Sequence, residues 1–434
     1  MYDHVMKKYT KYVICWALWA ALLLVTANGA EAGSELTDKG YQLEQLVVMS
    51  RHGARAPLVG PNSVVYKLNT HKQPDWQTKP GHLTMKGARN ETAFGQYFHC
   101  YLVDEGFMPE DWLPQAGQVS FYTNSFQRTI ATAKYFSSGM LPVANIPIEY
   151  KLGIDESDPV FIKPITLDTP ELYKLGSEFH EKSIGNYLSD CADMLISFEK
   201  AVDFSNTPYA KEKGIEHLNT KDINIIYKGK NKNVPGYTGA LHDAYKTTDS
   251  LIMQYYEEAD DNKADGGTGL TYQDWQKIGA IHTAGQCMIC ENPALALRNT
   301  HLLLNTIEQD LQNDNLKFAF LCGHDTNIIM LTTVLGVADY HLPNTITYKA
   351  PIGGKIVLER RRSKDGRLYI NPYMIYQSDN QIRQCQVLNL QNPPMRYHLT
   401  FKGLAQNSDG LYDYDEFLKL LNDISERYAY YTNN

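Results

Sequence analysis

His52 stands between two arginines in Arg51-His52-Gly53-Ala54-Arg55-Ala56-Pro57, and a second histidine is followed by an acid in His324-Asp325. Two guanidiniums beside an imidazole select a dianionic, tetrahedral group. The planar fork matches phosphate oxygens and stays charged at every relevant pH. A neutral imidazole can attack phosphorus, and an aspartic acid can protonate a leaving group. A third arginine, Arg128, lies in Ser125-Phe126-Gln127-Arg128-Thr129, where an alternating strand over 119–124 gives way to a helix. A phosphate at that corner would meet the guanidinium and the positive end of a helix.

These residues need elements that bring them together. Leu46-Val47-Val48-Met49 is the continuous apolar run of a central strand buried on both faces; Gly53 then permits a sharp turn and Pro57 fixes the exit. That puts His52 on a rigid loop at the carboxyl edge of a sheet, where open α/β folds place ligands. The stretch 316–323 reads as a second buried strand, opening onto His324 and a further helix. A helical pattern covers 88 to about 105. From about 151 the character changes: a turn cluster at 155–159, one or two amphipathic helices over 169–202, and a polar, lysine-rich stretch over 203–236 expected as a solvated loop. Helical patterns follow over 240–258 and 271–310. Segments 351–358 and 368–376, around Ser363-Lys364-Asp365-Gly366, predict a hairpin at a sheet edge, and 412–430 a last helix. The fold class expected is α/β. Residues 33–150 and 271–434 form a domain around a central, mostly parallel sheet, and 151–270 an inserted, mostly helical cap.

The chain has 434 residues, 43% of them hydrophobic, enough for one large core and a second lobe. Residues 1–32 read as an export signal: Lys7, Lys8 and Lys11 precede an apolar run over 13–27, and Ala30-Glu31-Ala32 supplies a cleavage pattern, with cleavage expected after Ala32. The apolar run is too short for a permanent membrane anchor. Removing it takes away three lysines against Asp3 and Glu31, so the net charge of −8 becomes −9. An acidic protein of that kind is not built for nucleic acid. Of seven cysteines, Cys15 leaves with the signal, and Cys322 sits in an apolar strand as a buried free thiol. Cys287-x-x-Cys290 has no second ligand pair at zinc spacing, so no metal site is expected there.

The string R-H-G-x-R-x-P after an apolar strand, Leu83-Thr84-x-x-Gly87, Ser125-x-x-Arg128-Thr129-x-x-Thr132-Ala133 and His324-Asp325 together resemble the histidine acid phosphatase family. The resemblance spans nearly all of the chain after the leader and is strongest to the bacterial periplasmic branch of glucose-1-phosphatases and phytases. Gln254-Tyr255-Tyr256-Glu257, Pro351-Ile352-Gly353-Gly354-Lys355 and Tyr376-Gln377-Ser378 look like the glucose-1-phosphatase side, Gly53-Ala54 more like the phytase side; cysteines expected around 403–414 are absent. The resemblance implies a phosphoglycerate-mutase-like α/β domain and a phosphohistidine mechanism. His52 would be the nucleophile, Arg51, Arg55, Arg128 and His324 would hold the phosphoryl oxygens, and Asp325 would protonate the leaving alcohol and then assist water. No metal or other cofactor is called for, since the arginines already neutralise the phosphate. The partner expected is a small phosphate monoester, with neither nucleic acid nor, after removal of the signal, a membrane.

Sugar phosphates such as glucose-1-phosphate are the first substrate expectation and phytate the second. An inert periplasmic phosphate-ester-binding protein is an alternative of another class, which should have lost His52 or Asp325; both are present. The resemblance also places Glu257 across the cleft from the phosphate loop. A carboxylate there would hydrogen-bond sugar hydroxyls and repel ligands carrying many phosphates.

Overall fold

The computed structural model describes residues 32–59, 63–71, 74–189, 191–219, 223–228 and 234–433. The leader expected over 1–32 lies outside them apart from Ala32, which opens the helix Ala32–Asp38.

The strands, in chain order, are β1 Gln42–Arg51, β2 Val119–Thr123, β3 Ile223–Lys228, β4 Val234–Gly239, β5 Phe318–Gly323, β6 Lys355–Arg362, β7 Leu368–Tyr376, β8 Met395–His398 and β9 Tyr412–Asp413. The main sheet runs β2-β5-β1-β6-β7-β8, with β9 also on β7. β2, β5 and β1 are parallel, and these are the strands that carry the motifs. β6 to β9 extend the sheet antiparallel. The fold is mixed α/β. The β6–β7 hairpin forms where expected but away from the edge, because β6 is interior and β8 covers β7.

The apolar run of β1 explains its central place. Leu46 and Val48 enter a core with Phe94, Phe98, Phe121, Phe136 and Phe318. Val47 and Met49 enter the core on the other face with Leu303, Ala319, Leu321 and Ile328. Side chains alternate along a strand, so a strand covered by helices on both sides must be apolar at every position. Each such burial contributes roughly 1.5–3 kcal/mol. The helices Met85–Asp104 and Gln127–Met140 cover the first face. Pro293–Gln312, Asp325–Val334 and Tyr414–Asn433 cover the second.

A second core gathers Leu195, Phe198, Leu241, Ile252 and Tyr256 of the segment expected as an insertion, together with Ala54, Leu68, Ile346, Ile352 and Ile382 from outside it. The helix Tyr272–Cys290 is shared. Its Trp275, Ile278 and Ile281 pack in this second core, whereas Cys287 and Cys290 enter the core of the sheet. The division expected at residue 271 therefore cuts ahead of a helix that joins the two. The stretch 203–236 is not the solvated loop expected: it contains the helix Pro208–Lys213 and most of the β3–β4 hairpin. Buried Ala210 and Leu218, and Tyr237 just beyond, anchor it to the second core, a tertiary effect that its lysines conceal in the sequence.

Cys100, Cys287, Cys290, Cys322 and Cys385 are free, Cys322 buried as expected. No helix among the described residues is long and apolar enough to cross a membrane.

Candidate active site

Register brings the motifs together. Arg51 lies opposite Gly323 across β1 and β5, and Thr123 lies opposite Cys322 across β2 and β5. The parallel strands thus stop side by side, and the residues that follow, His52, Asn124 and His324, share one edge. Backbone bonds lock the exits: His52 N donates to Gly323 O at 3.1 Å, and Asn124 N to Cys322 O at 2.9 Å. Two helices begin here, Gln127–Met140 with Arg128 in its first turn and Asp325–Val334 with Asp325 as its first residue. Their positive ends favour an anion at this edge.

His52, Arg55, Arg128, His324 and Asp325 line one cavity of ≈ 430 Å³, together with Tyr245, Lys246, Asp249, His282 and Gln286. Arg51 lies beneath it, 1% exposed, with an ion pair to Asp325 at 3.0 Å and a bond to Ala350 O.

The ring of His52 has a fixed orientation. Its Nδ1 lies 2.9 Å from Gly53 O and must be the protonated nitrogen, which leaves a lone pair on Nε2. Burial, then Arg128, Arg55, His324 and Arg51, hold this imidazole well below its usual pKa, so it stays neutral in mild acid.

His324 is held between Asn124 and Arg128. Asn124 Oδ1 accepts from Ser125 N and Asp158 N, both at 2.9 Å, so Asn124 Nδ2 must be the donor to His324 Nε2 at 2.8 Å. Burial and Arg128 push His324 down to about 3, so the ring is neutral and carries its proton on Nδ1. That Nδ1 is 3.3 Å from an Arg128 guanidinium nitrogen. Two donors facing each other repel, whereas one anionic oxygen between them accepts from both. Burial and Arg55 lower Arg128 to about 10, and it stays charged.

The acidic groups are held ionised. Arg55 grips Asp249 through two nitrogens at 2.7 and 3.2 Å. Burial would raise Asp249, yet Arg55 keeps it below the usual carboxylate range. Burial opposes ionisation of Asp325 too, but Arg51 and a hydrogen bond from Gln286 hold it well below that range. A phosphate dianion beside it would offset the arginines and raise its affinity for a proton. The Nε atoms of Arg51, Arg55 and Arg128 and both ring nitrogens of His282 are buried without a hydrogen-bond partner among the described residues. Buried donors left unmatched at one place are suited to a ligand rich in acceptors.

Glu257 is not brought to this cavity. It lines a different one with Trp76, Thr84 and Tyr135, and its carboxylate accepts from Thr84 Oγ1 at 2.8 Å. The helix Ala240–Glu257 meets the phosphate cavity by its middle, through Tyr245, Lys246 and Asp249. Eight residues separate Asp249 from Glu257, roughly 12 Å along a helix axis. Tyr245 with Asp249, and His282 with Gln286, are polar pairs at i, i+4 on otherwise apolar helices, a spacing that could have marked both. Asn124 follows a strand and carried no such mark.

Comparison with known proteins fits this geometry. Residues 42–164 match the model of the histidine phosphatase superfamily (branch 2). The chain is 30% identical over 416 residues to a glucose-1-phosphatase of Salmonella typhimurium, covering 95% of this chain and 98% of the relative. It is 26% identical over 423 residues to the phytase AppA of Escherichia coli, covering 93% and 96%. Its fold superposes on the apo form of the Hafnia alvei phytase with a TM-score of 0.80, at 24% identity over 90% of this chain and 98% of that one. The His52 loop, the arginines and the His-Asp pair at one sheet edge accord with these likenesses, and the chain belongs to the histidine phosphatase superfamily, branch 2, as a histidine acid phosphatase.

Proposed function

We propose that this phosphatase acts outside the cytoplasm on small sugar phosphates such as glucose-1-phosphate, through a phosphohistidine on His52. The observation that carries the mechanism is the pairing of a bare His52 Nε2 with facing donors from Arg128 and His324. Phosphorus sits over Nε2, and its non-bridging oxygens take the donors of Arg51, Arg55, Arg128 and His324. Asp325, protonated once the dianion has entered, gives its proton to the departing alcohol and then draws one from the attacking water. The leader over residues 1–32 supports export to the periplasm.

The sugar-phosphate reading is supported by the names of the relatives and by the mouth of the cavity. Leu58 and Val59 offer an apolar rim, suited to a compact ligand. The exposed Lys246 on that rim favours a second reading, a substrate with several phosphates such as phytate. Specificity constants for glucose-1-phosphate, other sugar phosphates and phytate decide between them. The first reading requires glucose-1-phosphate to lead.

His52→Ala should abolish turnover and leave the fold intact, and acid-quenched enzyme should carry acid-labile label from a phosphate ester in the wild type only. Label on the variant would exclude His52 as the nucleophile. Since His52 stays neutral in acid while Asp325 must gain a proton, the rate should be highest on the acid side of neutral. An optimum above about pH 8 would contradict the mechanism.

A further inference from the structure

Behind the nucleophile loop, away from the cavity, lies a buried ion pair that the mechanism does not use. Lys355 and Glu91 are 0% and 1% exposed, and Lys355 Nζ meets Glu91 Oε2 at 3.0 Å. Burial pushes Glu91 up and Lys355 down, and each opposes that shift in the other. The ammonium also sits 4.1 Å from the centre of the Phe94 ring. A charge pair so deep is costly to desolvate, and well-packed apolar residues would serve stability as well or better.

Its contacts lead to His52. Lys355 Nζ donates to Gly353 O at 2.7 Å, and Gly353 N donates to His52 O at 3.1 Å. The Glu91 carboxylate lies flat against the loop: a Cβ on Gly53 would come within 3.0 Å of Glu91 Oε1, and one on Gly353, whose φ is +65°, within 2.6 Å. Gly53 N is held from the other side by Thr132 Oγ1 at 3.0 Å. The peptide between His52 and Gly53 is therefore fixed at both its oxygen and its nitrogen, and Gly53 Cα rests on the carboxylate. Gly53 O, on the next peptide, is the acceptor that keeps the His52 proton on Nδ1.

We propose that Glu91 and Lys355 are a positioning pair, which fixes the peptides around Gly53 so that Gly53 O holds the Nδ1–H tautomer of His52 and aims Nε2 at phosphorus. The proposal rests on His52 as the nucleophile. It concerns the rate of phosphorylation, because neither side chain reaches the cavity.

The test uses the full-length mature enzyme with p-nitrophenyl phosphate, following the burst of p-nitrophenol and the phosphohistidine trapped by acid. In Glu91→Leu/Lys355→Met the melting temperature should equal or exceed that of the wild type. KM should stay within about threefold, and the burst rate constant should fall roughly 10–100-fold. Glu91→Gln, which keeps a hydrogen-bond acceptor for Lys355, should return the burst to within about threefold of wild type. A double variant with a wild-type burst overturns the proposal, and so does one in which only KM changes. If the double variant does not fold, Glu91→Gln/Lys355→Met, which nearly keeps both side-chain volumes and removes the charge pair, decides: a burst slowed by about tenfold or more supports positioning, and an unchanged burst refutes it. Absence of phosphohistidine in the wild type would instead remove the nucleophile assignment on which the proposal rests.

Discussion

Two buried clusters of charge sit at opposite ends of the same pair of strands, and they are satisfied in opposite ways. Across β1 and β6, Ser50 pairs with Lys355 near the phosphate cavity and Leu43 pairs with Arg361 at the far end. At the far end Arg361 binds Glu359 at 2.8 Å and Glu105 at 2.9 Å, while Glu359 also accepts from Tyr101, Asn371 and Tyr373 at 2.6, 2.9 and 2.7 Å. Burial would raise Glu359, but Arg361, then a second guanidinium, Arg396, and its hydrogen-bond donors bring it to about 2, so two cations balance two carboxylates. At the near end the ion pairs of Arg51 and Arg55 are with Asp325 and Asp249, Arg128 makes none among the described residues, and each of the three arginines keeps an Nε without a partner among them. The difference separates structure from function. Charge balanced by the chain itself holds the fold, whereas a surplus of oriented positive charge is a binding site for an anion.

Substitutions can break this comparison or sharpen it. Asp325→Asn should cost roughly 10²–10⁴-fold in kcat with an alkyl phosphate and much less with p-nitrophenyl phosphate, whose leaving group needs no proton. Equal losses on both substrates would remove Asp325 as the acid. Arg361→Met should leave Glu105 buried without its cation and Glu359 with Arg396 alone, and lower stability by about 3–5 kcal/mol, measured by denaturant unfolding, with kcat of the folded fraction unchanged. Arg128→Met should do the reverse. It should lose roughly 10²–10³-fold in kcat/KM and unfold at the same or a higher denaturant concentration, because its partner is the transition state. Loss of stability at both arginines would erase the distinction.

The smallest effect concerns pH. Glu359 has a folded-state pKa depressed to about 2, so its stabilisation is complete above its unfolded pKa and lost as pH falls through the folded value. Glu359→Gln should therefore destabilise by roughly 3 kcal/mol at neutral pH and converge with the wild type near pH 2. A gap that stays constant with pH would mean that packing, and not charge, sustains the cluster.

Much of the site was legible in the chain. Arg51, His52 and Arg55 are local in sequence, and an apolar run ending in a turn rich in glycine and proline can only put them at a strand exit. The same holds for His324 and Asp325 after β5. Glu257 misled because a helix was matched by its end, while the side chains that enter the cavity come from its middle. His282 and Gln286 reach the site from a helix whose one local mark is their i, i+4 spacing, and Glu91 and Lys355 give no sign of touching each other.

The sequence by itself determined which segments become buried strands and what chemistry waits at their ends, because alternation, apolar runs and turn residues act over a few neighbouring positions. Only the tertiary structure decided that β2, β5 and β1 stop in register, that Asn124 sets the tautomer of His324, and that Asp249 rather than Glu257 meets Arg55. Those outcomes depend on contacts between residues far apart in the chain, 200 positions for Asn124 and His324 and more for Arg51 and Gly323. Local pattern carries no information about such distances: they are settled when the cores close and most buried donors must find an acceptor.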